Sequence, residues 1–198
     1  MRYPPGHNEQ ARRQLLEAGG RHAKKHGFAG SGVDALAQAA GVTTGSLYKH
    51  FDGKNDLFAE LIGHELERTA KRFAAVSSGD SAEAMKVLTK YLSLNHVRHP
   101  EAGCALPVLA AEVARAERPV KDAYQAGLQA IHAAVADRFT GSEEAAWALI
   151  AQSVGAVMLA RAMAEEDVAR TILDTVAAAG ADLLRSADQA AGQLGRVR

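Results

Sequence analysis

One stretch constrains this chain more than any other: residues 31–57, SGVDALAQAAGVTTGSLYKHFDGKNDL. Val33, Leu36, Ala37 and Ala40 recur at helical spacing and form one apolar face. Ser31 and Asp34 make a Ser-x-x-acid start signal, a looser form of the capping box. Gly41 can take the positive φ that ends a helix. Thr43 is placed to cap a second short helix. That helix turns Leu47 and Phe51 inward and leaves Thr44, Gly45, Ser46, Tyr48, Lys49 and His50 mostly outward. Helix, glycine-containing turn and helix make the helix-turn-helix pattern.

The second helix of such a unit can lie in the DNA major groove. The small residues Thr43, Thr44, Gly45 and Ser46 let backbone approach a duplex, and with Lys49 they are the candidates for base edges. Tyr48 and His50 are assigned to the DNA backbone, and Ser31 and Lys54 to phosphate. Lys54 opens the next helix, where its ammonium and the unpaired first-turn N–H groups can act together. The competing reading is a helical hairpin with a polar face, since this geometry also occurs in proteins that never touch DNA.

The run Val33-x-x-Leu36-Ala37-x-x-Ala40-Gly41-Val42-Thr43-x-Gly45-x-Leu47-Tyr48-x-His50-Phe51-x-x-Lys54-x-x-Leu57 resembles the DNA-binding domain of the TetR/AcrR family of one-component transcriptional regulators. The resemblance covers residues 9–60. It implies an all-α protein of about nine helices. Residues 1–54 would be a three-helix DNA-binding domain, and residues 55–198 a helical ligand-binding and dimerisation domain. It further implies a homodimer that represses, less often activates, transcription from an inverted-repeat duplex operator. A small organic ligand in the larger domain would release it. The first helix departs from the family pattern. Gly19 and Gly20 stand where Ala and a larger residue are usual, and His22-Ala23 replaces a Leu-Phe pair. Each mid-helix Gly costs up to about 1 kcal/mol relative to Ala. The head is therefore less rigid than usual, or the missing bulk comes from elsewhere.

Composition agrees with a helical body: 47% of residues are apolar and only 5% aromatic, which favours close-packed helices over strands. The zero net charge hides an asymmetry. Residues 1–54 carry eight basic and four acidic side chains, and the remainder is correspondingly acidic. A basic head suits a polyanionic partner. The single cysteine excludes an intrachain disulfide. No stretch approaches the roughly 20 apolar residues of a membrane span, and the N-terminus lacks a signal-peptide core. The expected location is the cytoplasm, with no membrane partner.

Along the chain, residues 1–8 read as a loose arm. A first helix over 9–26 turns Ala11, Leu15, Leu16 and Ala18 inward and Arg12, Arg13, Arg21, Lys24 and Lys25 outward. A connector over 54–77 buries Leu57, Phe58, Leu61, Ile62, Leu66, Ala70 and Phe73. Further helices are expected over 81–97, capped by Asp80 or Ser81, then over 104–116, from Pro119 to 139, over 143–164 and over 167–187, with a frayed tail. In the penultimate helix Ala146, Leu149, Ile150, Ser153, Val157 and Ala160 form one stripe and Trp147, Val154 and Met158 a second. In the last, Val168, Ile172, Val176, Ala179 and Leu183 align. A helix apolar on two faces must be covered on two sides, and a two-fold pairing of these helices would do so.

No catalytic constellation is apparent, and no cofactor is implied. Acidic residues at 143–144 and 165–167 read as helix-start charges. His96-x-x-His99 with Cys104 has metal-donor types but too few of them for a site. Cys104 reads as a buried small hydrophobe. At a helix N-terminus its thiol would be activated, so a thiol-sensing regulator is the alternative, beside a helical interaction module without sequence-specific DNA binding. By the resemblance, candidate ligand-lining residues are Phe73, Met85, Leu88, Tyr91, Leu92, His96, Cys104, Leu109, Tyr124, Leu128, Trp147, Gln152 and Met158.

Overall fold

The computed structural model describes residues 7–77 and 80–195, with the backbone alone at residues 7, 8, 11 and 186–195. The expected arm through residue 6 and the inward placing of Ala11 lie outside what is described, and α1 already includes residues 7 and 8 of that expected arm. Among the described residues there are ten α-helices and no strand. They are α1 (His7–His26), α2 (Val33–Ala39), α3 (Thr44–Leu47), α4 (Lys54–Ala74), α5 (Ser81–Tyr91), α6 (Leu94–Arg98), α7 (Leu106–Val113), α8 (Arg118–Val135), α9 (Glu143–Arg161) and α10 (Glu166–Gly195).

Local chemistry sets most of the boundaries. Gly27, Gly41 and Gly141 take φ of 80°, 69° and 61° where α1, α2 and the π-helical turn after α8 end. Side chains of Thr43, Asp80, Ser93 and Ser142 each accept a backbone N–H of the helix they precede, at 2.9–3.3 Å. A cap of this kind contributes about 1 kcal/mol. Several boundaries differ from expectation, three of them with a consequence for the fold. Ser93 starts a new helix, so the expected helix over 81–97 is broken into α5 and α6. The segment before α7 forms a 3-10 turn over Pro100–Ala102, so α7 begins two residues beyond Cys104. And α10 continues to Gly195 rather than ending near 187.

The chain forms two compact units. The first contains the chain through Leu66 together with Pro100–Gly127. Its core takes Leu15, Leu16, Phe28, Leu36, Leu47, Phe51, Leu57, Phe58, Leu61, Leu66, Leu106, Leu109, Val113 and Val120. The rings of Phe28 and Phe58 stack at 4.0 Å between centroids. Glu67–His99 and Leu128 onward make the second unit, with a core of Leu88, Leu92, Ile131, Val135, Phe139, Leu149, Val157, Leu173 and Leu184. There Gly180 lets α10 close on its neighbours: a Cβ added at 180 would lie 2.7 Å from Leu88 Cδ2 and 3.0 Å from Leu149 Cδ1.

Lys24 corrects the sequence reading. Expected to face solvent, it is 1% exposed. Its ammonium pairs with Glu65 at 2.8 Å, both side chains fully buried, and donates to the Gly103 carbonyl at 2.9 Å. Gly20, one turn earlier on α1, makes the room: a Cβ there would stand 2.4 Å from Glu65 Oε1. The bulk missing from α1 is thus supplied by a carboxylate reaching in from α4.

Candidate nucleic-acid interface

The helix-turn-helix is α2, the turn through Gly41, and α3. Leu36 and Ala37 anchor α2; α3 stops at Leu47 rather than reaching Phe51 as expected, so Leu47 anchors the helix and Phe51 the turn after it, all at most 2% exposed. These four fix which face of α3 is turned outward. On it Thr43, Gly45, Tyr48 and Lys49 are exposed, and Thr44, Ser46 and His50 are half-buried. Tyr48 is the most open of the aromatic residues there, at 53%. Nothing lies within 4 Å of a Cβ added at Gly45, so backbone at that point can meet a flat partner closely.

Not every expected DNA contact faces outward. Ser31 is buried, and its hydroxyl donates to the Gly27 carbonyl, holding the turn between α1 and α2. The expected cap of α2 by Ser31 and Asp34 is absent. Gly32 stands at the N-cap position without a side-chain bond. Asp34 instead accepts the Thr44 hydroxyl at 2.5 Å, joining α2 to α3. Lys54 is half-buried, donates to the Ala29 carbonyl at 3.0 Å and lies 5.4 Å from the centre of the Phe28 ring. An ammonium has three donors, so two remain for a phosphate. The basic excess of the head is also partly spent internally. Lys24 is neutralised by Glu65, and Arg12 pairs with Glu60 at 2.8 Å.

Glu112 of α7 was missed by the sequence reading. Its two carboxylate oxygens accept the Phe28 N–H, at 3.0 Å, and the Ala29 N–H. The same peptide segment therefore takes a carboxylate on its amides and the Lys54 ammonium on its carbonyl. Glu112→Ala leaves both amides without this acceptor. We expect faster hydrogen exchange at Phe28 and Ala29 and a loss of about 1 kcal/mol or more in urea unfolding, with Glu112→Gln intermediate.

The expected ligand-lining residues divide between the units. Cys104, Leu109 and Tyr124 belong to the first, the other ten to the second. Cys104 and Leu109 are buried, and burial, followed by the neighbouring Cys104, raises the Tyr124 phenol above its usual range. In the second unit Leu88, Leu92 and His96 are buried, with Phe73, Met85, Tyr91 and Leu128 half-buried. His96 sits edge-on to Tyr91 at 4.6 Å, its Nδ1 2.7 Å from the Tyr91 carbonyl oxygen. Gln152, Trp147 and Met158 are exposed, the last two at 42% and 41%, and Trp147 stacks on His132. Among the described residues no group of three His, Cys, Asp or Glu could hold a metal ion, and no helix is long and apolar enough to cross a membrane.

Residues 15–61, which include this whole surface, match the family profile described as "Bacterial regulatory proteins, tetR family". This part of the chain is a TetR-family DNA-binding domain. Curated relatives over the same end are transcriptional regulators rather than enzymes. The HTH-type transcriptional regulator AcrR of Shigella flexneri is 37% identical over 71 residues, 32% of this chain and 33% of that protein. The HTH-type transcriptional repressor AcnR of Corynebacterium glutamicum is 32% identical over 76 residues, 38% and 39% of the two chains. The match thus spans little more than a third of either relative. Solved structures share the helical fold over most of the chain. The reduced form of E. coli NemR superposes with a TM-score of 0.70 at 22% identity, covering 84% of this chain and 95% of that one.

Proposed function

We propose that this TetR-family chain is a homodimeric repressor that reads an inverted-repeat duplex with α3 and is released by a small organic molecule held in its larger helical part. The observation that carries the DNA half is the outward face of α3: an N-capped helix start, an open Gly45, and exposed Tyr48 and Lys49. Thr43, Thr44, Gly45, Ser46 and Lys49 are assigned to base edges, Tyr48 and His50 to the DNA backbone, and Lys54 to phosphate. Ser31 acts through the turn it holds.

Dimerisation is supported by the apolar residues that the second unit leaves uncovered. Trp147, Met158, Leu159, Met163 and Val168 are exposed large hydrophobics on or between α9 and α10. Exposed apolar groups gathered on adjoining helices mark an interaction surface, and a two-fold contact would cover both copies at once. The ligand half is supported by the half-buried Phe73, Met85 and Tyr91 and the buried Leu88, Leu92 and His96 of the second unit, a mainly apolar set with few polar groups that suits a moderately hydrophobic molecule.

The test is enrichment of genomic duplex fragments by the purified protein near physiological salt. Wild type is expected to recover an inverted repeat, Tyr48→Ala to lose it, and Lys54→Ala to bind all sequences more weakly with a salt slope lower by about 1. Absence of enrichment by wild type, or enrichment unchanged in both variants, overturns the assignment.

A further inference from the structure

We propose that Asp34 and Thr44 together form a base-reading pair that selects cytosine at one position of each half-site. The inference rests on the placement of α3 against DNA proposed above. It adds a residue, Asp34, that the helix-turn-helix pattern alone reads as a helix cap.

The Thr44 hydroxyl has one proton, and it goes to Asp34 Oδ1 at 2.5 Å. What Thr44 then offers outward is oxygen lone pairs and a methyl group. Asp34 is exposed and has no cationic partner among the described residues. Its carboxylate only accepts. The pair therefore presents acceptors and one negative charge beside the first residue of α3, next to the open backbone at Gly45.

Of the major-groove edges, guanine shows two acceptors, N7 and O6, and thymine an acceptor and a methyl, so both repel a carboxylate or leave it unpaired. Adenine offers an N6 donor, but its N7 acceptor lies alongside. Cytosine offers the N4 donor with no acceptor on its own edge, and carboxylates accept from it. A carboxylate turned toward a polyanion also weakens binding to every sequence that cannot give this hydrogen bond. Such a repulsive element separates the right partner from the rest.

Selection from a randomised duplex library, with wild type and exposed-site variants whose folding is checked by thermal melting, tests the pair. Wild type is expected to enrich a half-site with one cytosine whose replacement costs about tenfold or more in affinity. Asp34→Ala is expected to lose that preference and to bind unrelated duplex more tightly, because a like charge has been removed. Asp34→Asn, which donates as well as accepts, is expected to move the preference to adenine through N6 and N7. Thr44→Val keeps the methyl but frees the carboxylate, and should bring the preference toward that of Asp34→Ala.

An enriched half-site unchanged in Asp34→Ala and Asp34→Asn overturns the pair while leaving the regulator reading intact. So does a folded Asp34→Ala that loses all sequences equally. Failure of wild type to enrich any half-site removes the DNA placement itself, and the pair with it.

Discussion

Lys24→Met is expected to cost about 3–5 kcal/mol of stability, the penalty for leaving a buried carboxylate without its cation. Both partners of the Lys24–Glu65 pair are fully buried, and Lys24 also holds the Gly103 carbonyl, so the substitution removes a cation from a site closed to solvent. Urea unfolding followed by circular dichroism reads the effect. The double variant Lys24→Met/Glu65→Leu should recover most of the loss, because apolar residues of similar volume often replace a buried pair at little cost. Gly20→Ala alone should resemble a milder Lys24→Met, since its Cβ would stand 2.4 Å from Glu65 Oε1 and push the carboxylate off the ammonium. A Lys24→Met protein as stable as wild type would falsify this account of the pair.

Gly127→Ala is the second large effect. A Cβ at 127 would lie 2.5 Å from Leu66 Cβ and 2.9 Å from Leu66 Cδ1. The closest atom is at the root of the leucine side chain, so no rotamer change relieves it, and α8 must move away from α4. Overpacking of this kind costs about 1–3 kcal/mol. Leu66→Ala should not rescue the variant, because the Cβ remains. Gly180→Ala is expected to cost less, since its neighbours are the branch ends of Leu88 and Leu149, which can rotate. Thermal melting of the three variants decides the ranking, and rescue by Leu66→Ala would show that the limit at 127 is not backbone separation.

What the sequence made legible is what short-range chemistry encodes. Thr43 caps α3 and Gly41 ends α2 because both jobs are done within a few residues. The all-helical fold and the family resemblance follow from such local signals and from periodicity. Lys24 was misread because solvated and buried lysines look alike until the partner is known, and its partner comes from a different helix. Asp34 was misread for a related reason: an acid near a helix start has a local use, yet here it serves the facing helix. On α10 the buried residues among those described are Ala169, Leu173, Gly180 and Leu184, while the stripe of Val168, Ile172, Val176, Ala179 and Leu183, expected to pair with a second copy, is exposed or half-buried. Gly180 went inward because its lack of a Cβ lets α10 approach Leu88 and Leu149 closely, a gain that no apolar ranking of side chains contains. The expected lining residues Trp147, Gln152 and Met158 are exposed, standing on the face of α9 that the packed helices leave open.

The first unit is assembled from two stretches far apart in the chain, and this bears on how the protein is made. Lys24 finds Gly103 across 79 residues, and Phe28 finds Glu112 across 84. Synthesis delivers roughly 5–20 residues each second, so for several seconds the nascent helix-turn-helix has emerged without the segment that completes it. During that interval Lys24 and the Phe28 and Ala29 amides lack their later-arriving partners Gly103 and Glu112. The closing contacts are long-range, which slows folding relative to a bundle built from neighbours. A nascent chain stalled shortly after residue 75 should therefore be cut readily by protease, and resistance should arise only once residues 100–127 have left the ribosome.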